Sequence, residues 1–419
     1  MSAGLGLAIA PIGHPLQAAV RVPGSKSLTN RALVTAVLAK GATTLTNALF
    51  SDDSRYCLEA LGQLGFAVAA DPKTQLMTVT GQGGRLPASH ADLFIGNAGT
   101  AARFLTSLLT LGQGEYRLDG SARMRQRPLG DLLEALRQLG ARVETPTGCP
   151  PVRVTANGLP GGRAWVAGDV SSQFLSGLLL VAPYAQSPVE LWVARGLNSQ
   201  PYVDLTLAVM ADFGVEVERD GYERFSVTPQ CYQAQAAYAV ESDASAASYF
   251  FAAPALLGGS VRVEGLTRRS RQGDVGFVDV LAAMGCGVNE GPDWLAVSGP
   301  AEGQLRGVEV DMRHIPDTAQ TLAAIAPFAN SPTTIRGIAS ARVKETDRVA
   351  AMSAELRRLG VAVDEYPDGL TIHPSDSLLP ACVRTYDDHR MAMAVALVGL
   401  RAPGIEIENP GCVAKTFPE

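Results

Sequence analysis

The chain reads as an α/β protein of two domains, each assembled from three similar supersecondary units. Three observations predict this. Six alanine-rich, helix-prone stretches each end at a Gly or Pro turn and give way to a short β-prone run. Five glycines that close amphipathic segments, Gly65, Gly140, Gly214, Gly285 and Gly360, recur at intervals of 75, 74, 71 and 75 residues. At 419 residues, 47% hydrophobic and 18% charged, the chain has a globular composition and is too long for one ordinary core. A period this long exceeds that of solenoid repeats, so the units are modules packed into domains.

The six stretches share a feature at their starts. Lys26, Ser27 and Arg31 precede 32–39; Asn97, Gly99, Thr100 and Arg103 precede 104–111; Ser171, Ser172 and Gln173 precede 174–181. In the second half Asp243 and Ser245 precede 246–257, Asp317 and Gln320 precede 321–328, and Asp388, His389 and Arg390 precede 391–400. The first amide N–H groups of a helix lack partners and its dipole is positive there, so anions settle at that end. Taken singly, each start is equally well an ordinary N-cap. Six in register point to one cleft that grips phosphates.

Each marker glycine fits a helix C′ position requiring φ > 0. Around Gly140, for example, Leu132, Leu133, Leu136 and Leu139 precede at helical spacing, and Ala141 and Val143 alternate after it. Each unit therefore holds two helices and several strands, and the last unit lacks the glycine. Two domains of three units each is the economical division. The expected crossing points are Val-Pro-Gly at 22–24 and the small-residue stretch 234–239, ahead of a fourth unit opening at Glu241.

Composition excludes several classes. A net charge of −6 argues against a nucleic-acid partner, which would want a broad basic surface. The six cysteines form no Cys-x-x-Cys pair and the five histidines are widely spaced, so neither zinc nor a disulfide framework is expected. Reduced thiols and a cytoplasmic setting follow. The longest apolar run, 174–185, is interrupted by Gly177 and Pro183 and falls short of the roughly 20 residues of a membrane span. No Lys- or Arg-flanked signal opens the sequence.

Two charged motifs carry chemistry. Val-Pro-Gly-Ser-Lys-Ser-Leu-Thr-Asn-Arg at 22–31 places a lysine, hydroxyls and an arginine at a helix start, but Ser25 and Val20 stand where a Walker A loop needs glycines. Lys26 and Arg31 suit a phosphate or carboxylate as point charge and fork. Lys344-Glu345-Thr346-Asp347-Arg348 lies where an amphipathic helix begins, with Lys344 and Arg348 four apart and expected on one face. A solvated helix end with internal ion pairs is an equally simple reading, and the same holds for 387–390.

The ordered set Val-Pro-Gly-Ser-Lys-Ser, Gly96-Asn-Ala-Gly-Thr-Ala, Arg127-Pro, Val170-Ser-Ser-Gln, Lys344-Glu-Thr-Asp-Arg, Asp388-His-Arg and Ala414-Lys-Thr-Phe-Pro resembles the 5-enolpyruvylshikimate-3-phosphate synthase family nearly end to end. The resemblance implies the enolpyruvyl transferase fold, two domains of three βαβαββ units each in an inside-out α/β barrel. It places residues 21–238 in one domain and 1–20 with 239–419 in the other, with hinges near 21–24 and 234–241. It implies transfer of the enolpyruvyl group of phosphoenolpyruvate to the 5-hydroxyl of shikimate 3-phosphate, through a tetrahedral intermediate with release of phosphate. A monomer without metal or organic cofactor is implied as well.

Carried over by position, Lys26, Ser27, Arg31, Ser171, Ser172, Gln173, Ser199, Tyr202, Asp317 and Lys344 are expected around shikimate 3-phosphate. Lys26, Asn97, Gly99, Arg127, Gln173, Glu345, Arg348, His389, Arg390 and Lys415 are expected around phosphoenolpyruvate. Asp317 matches the base for the attacking hydroxyl and Glu345 the acid for the methylene carbon, with Lys26 or Lys415 beside the intermediate. A base is helped by a helix start, and an acid by shielding from solvent.

Two positions depart from the family pattern. Ser340 stands where asparagine is common, and Phe104 where several members have proline, one turn from Gly99 in the helix that shapes the pocket glyphosate occupies in the family. The sister enzyme that uses UDP-N-acetylglucosamine typically carries a loop cysteine, and 114–127 contains none. A non-catalytic anion binder would not need both carboxyl groups.

Overall fold

The computed structural model describes residues 6–418. The chain divides into two compact units, one formed by Gly24–Val240 and the other by the segment through Pro23 together with the chain from Glu241 on. The divisions fall a few residues beyond 20/21 and 238/239 because strand Leu16–Arg21 is hydrogen-bonded within the second of these units and strand Tyr238–Ala239 within the first.

In the Gly24–Val240 unit the helices are α1 (Lys26–Leu38), α2 (Asp52–Gln63), α3 (Gly99–Leu109), α4 (Gly130–Gln138), α5 (Ser172–Val181) and α6 (Gln200–Asp212). Its three sheets have four strands each and share one plan: an edge strand parallel to its neighbour, followed by an antiparallel hairpin. The middle sheet shows the complete βαβαββ order: His90–Phe94, α3, Gln113–Asp119, α4, Arg142–Glu144, Val152–Asn157. Alternation sets its faces. Tyr116 pairs with Val154 and Leu118 with Val152 on the buried face, while Glu115 and Thr155 pair on the other.

The other unit contributes α7 (Ala244–Leu257), α8 (Phe277–Ala283), α9 (Ala319–Ile325), α10 (Arg348–Arg358) and α11 (His389–Arg401). Two of its sheets repeat the four-stranded plan, and the third has three strands, with Leu7–Ala8 antiparallel to Ile405–Ile407. Here the second helix of the last module is replaced by a 3-10 segment, Pro410–Lys415, in keeping with the missing sixth glycine.

The units are inside-out because their inner helices are buried all round, polar positions included. In α1 every residue from Leu28 to Leu38 is buried, and α3 is buried throughout. These helices pack on one another, as do α7, α9 and α11, and each fully buried leucine contributes about 2 kcal/mol. The outer helices are amphipathic and end as expected: Gly65, Gly140, Gly214, Gly285 and Gly360 have φ of 87°, 88°, 82°, 103° and 84°. At Gly65 the Gly65 N–H donates to Gly62 and the Phe66 N–H to Leu61, satisfying carbonyls that the helix end leaves open.

No helix among the described residues is long and apolar enough to cross a membrane.

Candidate active site

The inner helices bring their N-terminal turns together within each unit, so each unit carries one cluster of polar side chains. In Gly24–Val240 the Ser25 hydroxyl caps α1 by accepting from Leu28 N–H. Gly24 is needed there, because a Cβ would collide with the Asn47 carbonyl. Lys26, in the first turn, lies 3.6 Å from Asp53 Oδ2 at the start of α2. Ser171 caps α5, and the Gln173 amide donates to Thr100 Oγ1 on α3 at 3.2 Å. Arg127 donates from Nη1 to both the carbonyl and Oδ1 of Asn97, at 3.0 and 3.1 Å. Arg103 ties the same loops by donating to Gly99 O and Pro128 O. Ser199, at the start of α6, has φ 56°, a strained conformation of the kind that gathers at functional sites.

Arg31 departs from the expectation of a guanidinium fork open to a ligand. It is 1% exposed, and it donates to Thr206 Oγ1, Ser27 O, Ser176 Oγ and Tyr202 O while lying 5.2 Å over the Phe104 ring. Burial pushes it down to about 10. It joins α1, α3, α5 and α6 beneath Ser27 and Tyr202. Phe104 is itself fully buried, so the ring that replaces proline serves as a platform for this arginine.

The second cluster centres on Arg348, the first residue of α10, whose N-cap is Asp347. Its Nε donates to Asp388 Oδ2 at 2.7 Å, its Nη1 to Asp317 Oδ1 at 3.1 Å and its Nη2 to Glu345 Oε2 at 2.8 Å. Burial alone would lower Arg348, but Asp388, Glu345 and Asp317 outweigh it and hold the guanidinium above its ordinary range. Arg390, the second residue of α11, donates to Asp317 Oδ2 at 2.8 Å and to the Asp317 carbonyl at 3.0 Å. Lys415 Nζ stands 3.8 Å from Glu345 Oε1. Asp317 sits in the 3-10 turn Pro316–Thr318 that leads into α9, between two arginines that favour its ionised form. Glu345 is shielded, at 6% exposure, which favours a neutral acid, while Arg348 and Lys415 favour its carboxylate. Tyr249 on α7 is pushed up to about 12 by burial, against the pull of Arg390 and Arg348.

Two readings of the charged motifs are corrected. Residues 344–346 form a bend and the helix begins only at Arg348, so Lys344 and Arg348 do not share a helical face. Nor are these segments solvated helix ends, since Arg348 and Glu345 are buried and Asp388 is fully so. His389 is 1% exposed, with Nδ1 3.5 Å from Asp388 Oδ1, and so packs inward behind the cluster. Ser340 is buried.

Nothing in the sequence singles out Asp53 as the partner of Lys26 or gives Asp388 a role beyond its helix start. Both pass for ordinary first-turn acids. Only their burial, 2% and 0%, sets them apart. Among the described residues no group of His, Cys, Asp and Glu is placed to hold a metal ion.

Comparison with known proteins bears on what these clusters do. Residues 11–419 match the family model described as EPSP synthase (3-phosphoshikimate 1-carboxyvinyltransferase). The 3-phosphoshikimate 1-carboxyvinyltransferase of Nostoc punctiforme is 51% identical over 98% of this chain and 96% of its own. That of Thiobacillus denitrificans is also 51% identical, over 95% and 94%. The solved EPSP synthase of Acinetobacter baumannii superposes with a TM-score of 0.80 at 26% identity, covering 99% of this chain and 96% of its own.

Proposed function

Because the chain belongs to the EPSP synthase family, whose reaction moves the enolpyruvyl group of phosphoenolpyruvate onto the 5-hydroxyl of shikimate 3-phosphate, we propose that Asp317 and Glu345 handle the protons of that transfer. The observation that carries this reading is their common anchor: one buried guanidinium, Arg348, binds both carboxyl groups. Two carboxyl groups in unlike settings suit base and acid roles.

Asp317, ionised between Arg348 and Arg390, takes the proton of the 5-hydroxyl as its oxygen bonds to C2 of phosphoenolpyruvate. Glu345 gives a proton to C3, forming the tetrahedral intermediate. Breaking the C2–O bond to phosphate and returning a C3 proton to Glu345 then yields the enol ether, and the proton that Asp317 took passes to the departing phosphate, which restores the Asp317 carboxylate. Arg348, Arg390 and Lys415 serve the phosphate and carboxylate of phosphoenolpyruvate. As those anions engage Arg348 and Lys415, the two cations that favour the Glu345 carboxylate are drawn off, and burial is left to favour its acid form. On the Gly24–Val240 unit, Lys26, Asn97, Gly99, Arg127 and Gln173 serve the same substrate.

Shikimate 3-phosphate is held by Lys26, Ser27, Ser171, Ser172, Gln173, Ser199 and Tyr202, with Lys344 and Asp317. Arg31 supports this set through its hydrogen bonds to Ser27 O and Tyr202 O, and His389 stands beside Asp388 on the phosphoenolpyruvate side. We further propose a cytoplasmic monomer, a setting consistent with six unpaired cysteines.

The test is the pair Asp317→Asn and Glu345→Gln. Each is expected to lower kcat about 10²- to 10⁴-fold, the usual contribution of a general acid or base, while calorimetry still detects shikimate 3-phosphate binding. Near-normal kcat in either variant would remove that residue from its role.

A further inference from the structure

Beside the second cluster lies a set of contacts centred on a residue not assigned to substrate, Glu355. Glu355 stands seven residues after Arg348 in α10, two turns along the same face, and is fully buried. Its Oε1 accepts the Tyr386 hydroxyl at 2.7 Å. Its Oε2 accepts the Arg384 backbone N–H at 3.2 Å and Arg358 Nε at 2.9 Å. Arg384 and Tyr386 belong to the segment that enters α11. There the backbone is strained: Tyr386 and Asp387 have φ of 55° and 54°, two successive left-handed conformations at residues with side chains. Asp388 follows immediately, capping α11 and binding Arg348, and Arg390 lies two residues on. Asp387 Oδ1 also accepts Asn409 Nδ2 at 2.8 Å, from the residue that opens the 3-10 segment carrying Lys415.

We propose that the Glu355–Tyr386 contact is a positioning clamp that holds the strained 386–387 turn against α10, so that Asp388 and Arg390 meet Arg348 in the geometry phosphoenolpyruvate requires. Such a turn persists only where its surroundings over-determine it. Glu355 and Asn409 fasten it from two sides, linking the three segments that carry Arg348, Arg390 and Lys415. Neither Glu355 nor Tyr386 touches the reacting groups; both act through Asp388 and Arg390. The inference rests on the proposed assignment of Arg348 and Arg390 to phosphoenolpyruvate.

The experiment is steady-state kinetics of Tyr386→Phe in the full chain, varying each substrate in turn, with Arg390→Lys as reference. Removing one hydroxyl donor to a buried carboxylate is expected to raise KM for phosphoenolpyruvate about tenfold. KM for shikimate 3-phosphate should stay near its original value, which a general loss of stability would not allow. An unchanged KM for phosphoenolpyruvate in Tyr386→Phe, or a parallel rise in both KM values, overturns the clamp. If Arg390→Lys itself leaves KM for phosphoenolpyruvate unchanged, the assignment beneath the clamp is what has failed.

Discussion

Arg348 and Asp388 meet 40 residues apart in sequence through two hydrogen bonds, Nε to Oδ2 at 2.7 Å and Nη2 to Oδ1 at 3.3 Å. Both side chains are buried, and the same carboxylate caps α11 through Arg390 N–H. One aspartate thus fixes a helix start and the Arg348 guanidinium together. Asp388→Asn keeps an oxygen for the cap but removes the charge opposite a buried guanidinium. We expect a loss of about 3–5 kcal/mol on urea unfolding, in the range of broken buried ion pairs. KM for phosphoenolpyruvate should rise in the same variant.

Gly99 owes its identity to Arg127. A methyl group there would lie 2.6 Å from Arg127 Cζ, inside van der Waals contact, and the guanidinium would have to leave Asn97. Gly99→Ala is therefore expected to weaken phosphoenolpyruvate and glyphosate binding, with KM for phosphoenolpyruvate rising on the order of 10- to 100-fold, or about 1.4 to 2.7 kcal/mol. Fluorescence titration and initial rates measure both. Unchanged constants would mean that Gly99 lies away from the pocket.

Arg31 presents a different sensitivity. Its donors reach Thr206, Ser27, Ser176 and Tyr202 at once, a pattern that a planar fork meets and a single ammonium does not. Arg31→Lys should lower stability by about 2–4 kcal/mol by leaving buried acceptors and hydroxyls unpaired. It should also raise KM for shikimate 3-phosphate more than KM for phosphoenolpyruvate, because Ser27 and Tyr202 lose their common support. Equal effects on both would contradict that placement.

What was legible in the sequence, and what was not, follows from the range of the interactions. The glycine markers and helix starts are local chemistry: a left-handed C′ at Gly214 and a hydroxyl cap at Ser171 are written within a few residues. The α/β units could be counted for that reason. Partnerships such as Lys26 with Asp53 join distant segments and leave no periodic trace. Lys344 and Arg348 show the opposite error, a helical spacing read into a stretch whose backbone bends until Asp347 caps the helix. Arg31 looked like a ligand fork because an arginine buried among hydroxyls and one facing an anion have the same sequence signature. What sets Arg31 apart is its set of hydroxyl and carbonyl partners on neighbouring helices.

The proposed proton transfer between Glu345 and C3 of phosphoenolpyruvate leaves an isotopic trace. Enzyme, shikimate 3-phosphate and phosphoenolpyruvate are incubated in deuterium oxide and the methylene hydrogens followed by mass spectrometry. The wild-type protein should introduce deuterium at C3, and Glu345→Gln should introduce essentially none while still binding shikimate 3-phosphate. Deuterium entering at the wild-type rate in Glu345→Gln would rule out that role for Glu345.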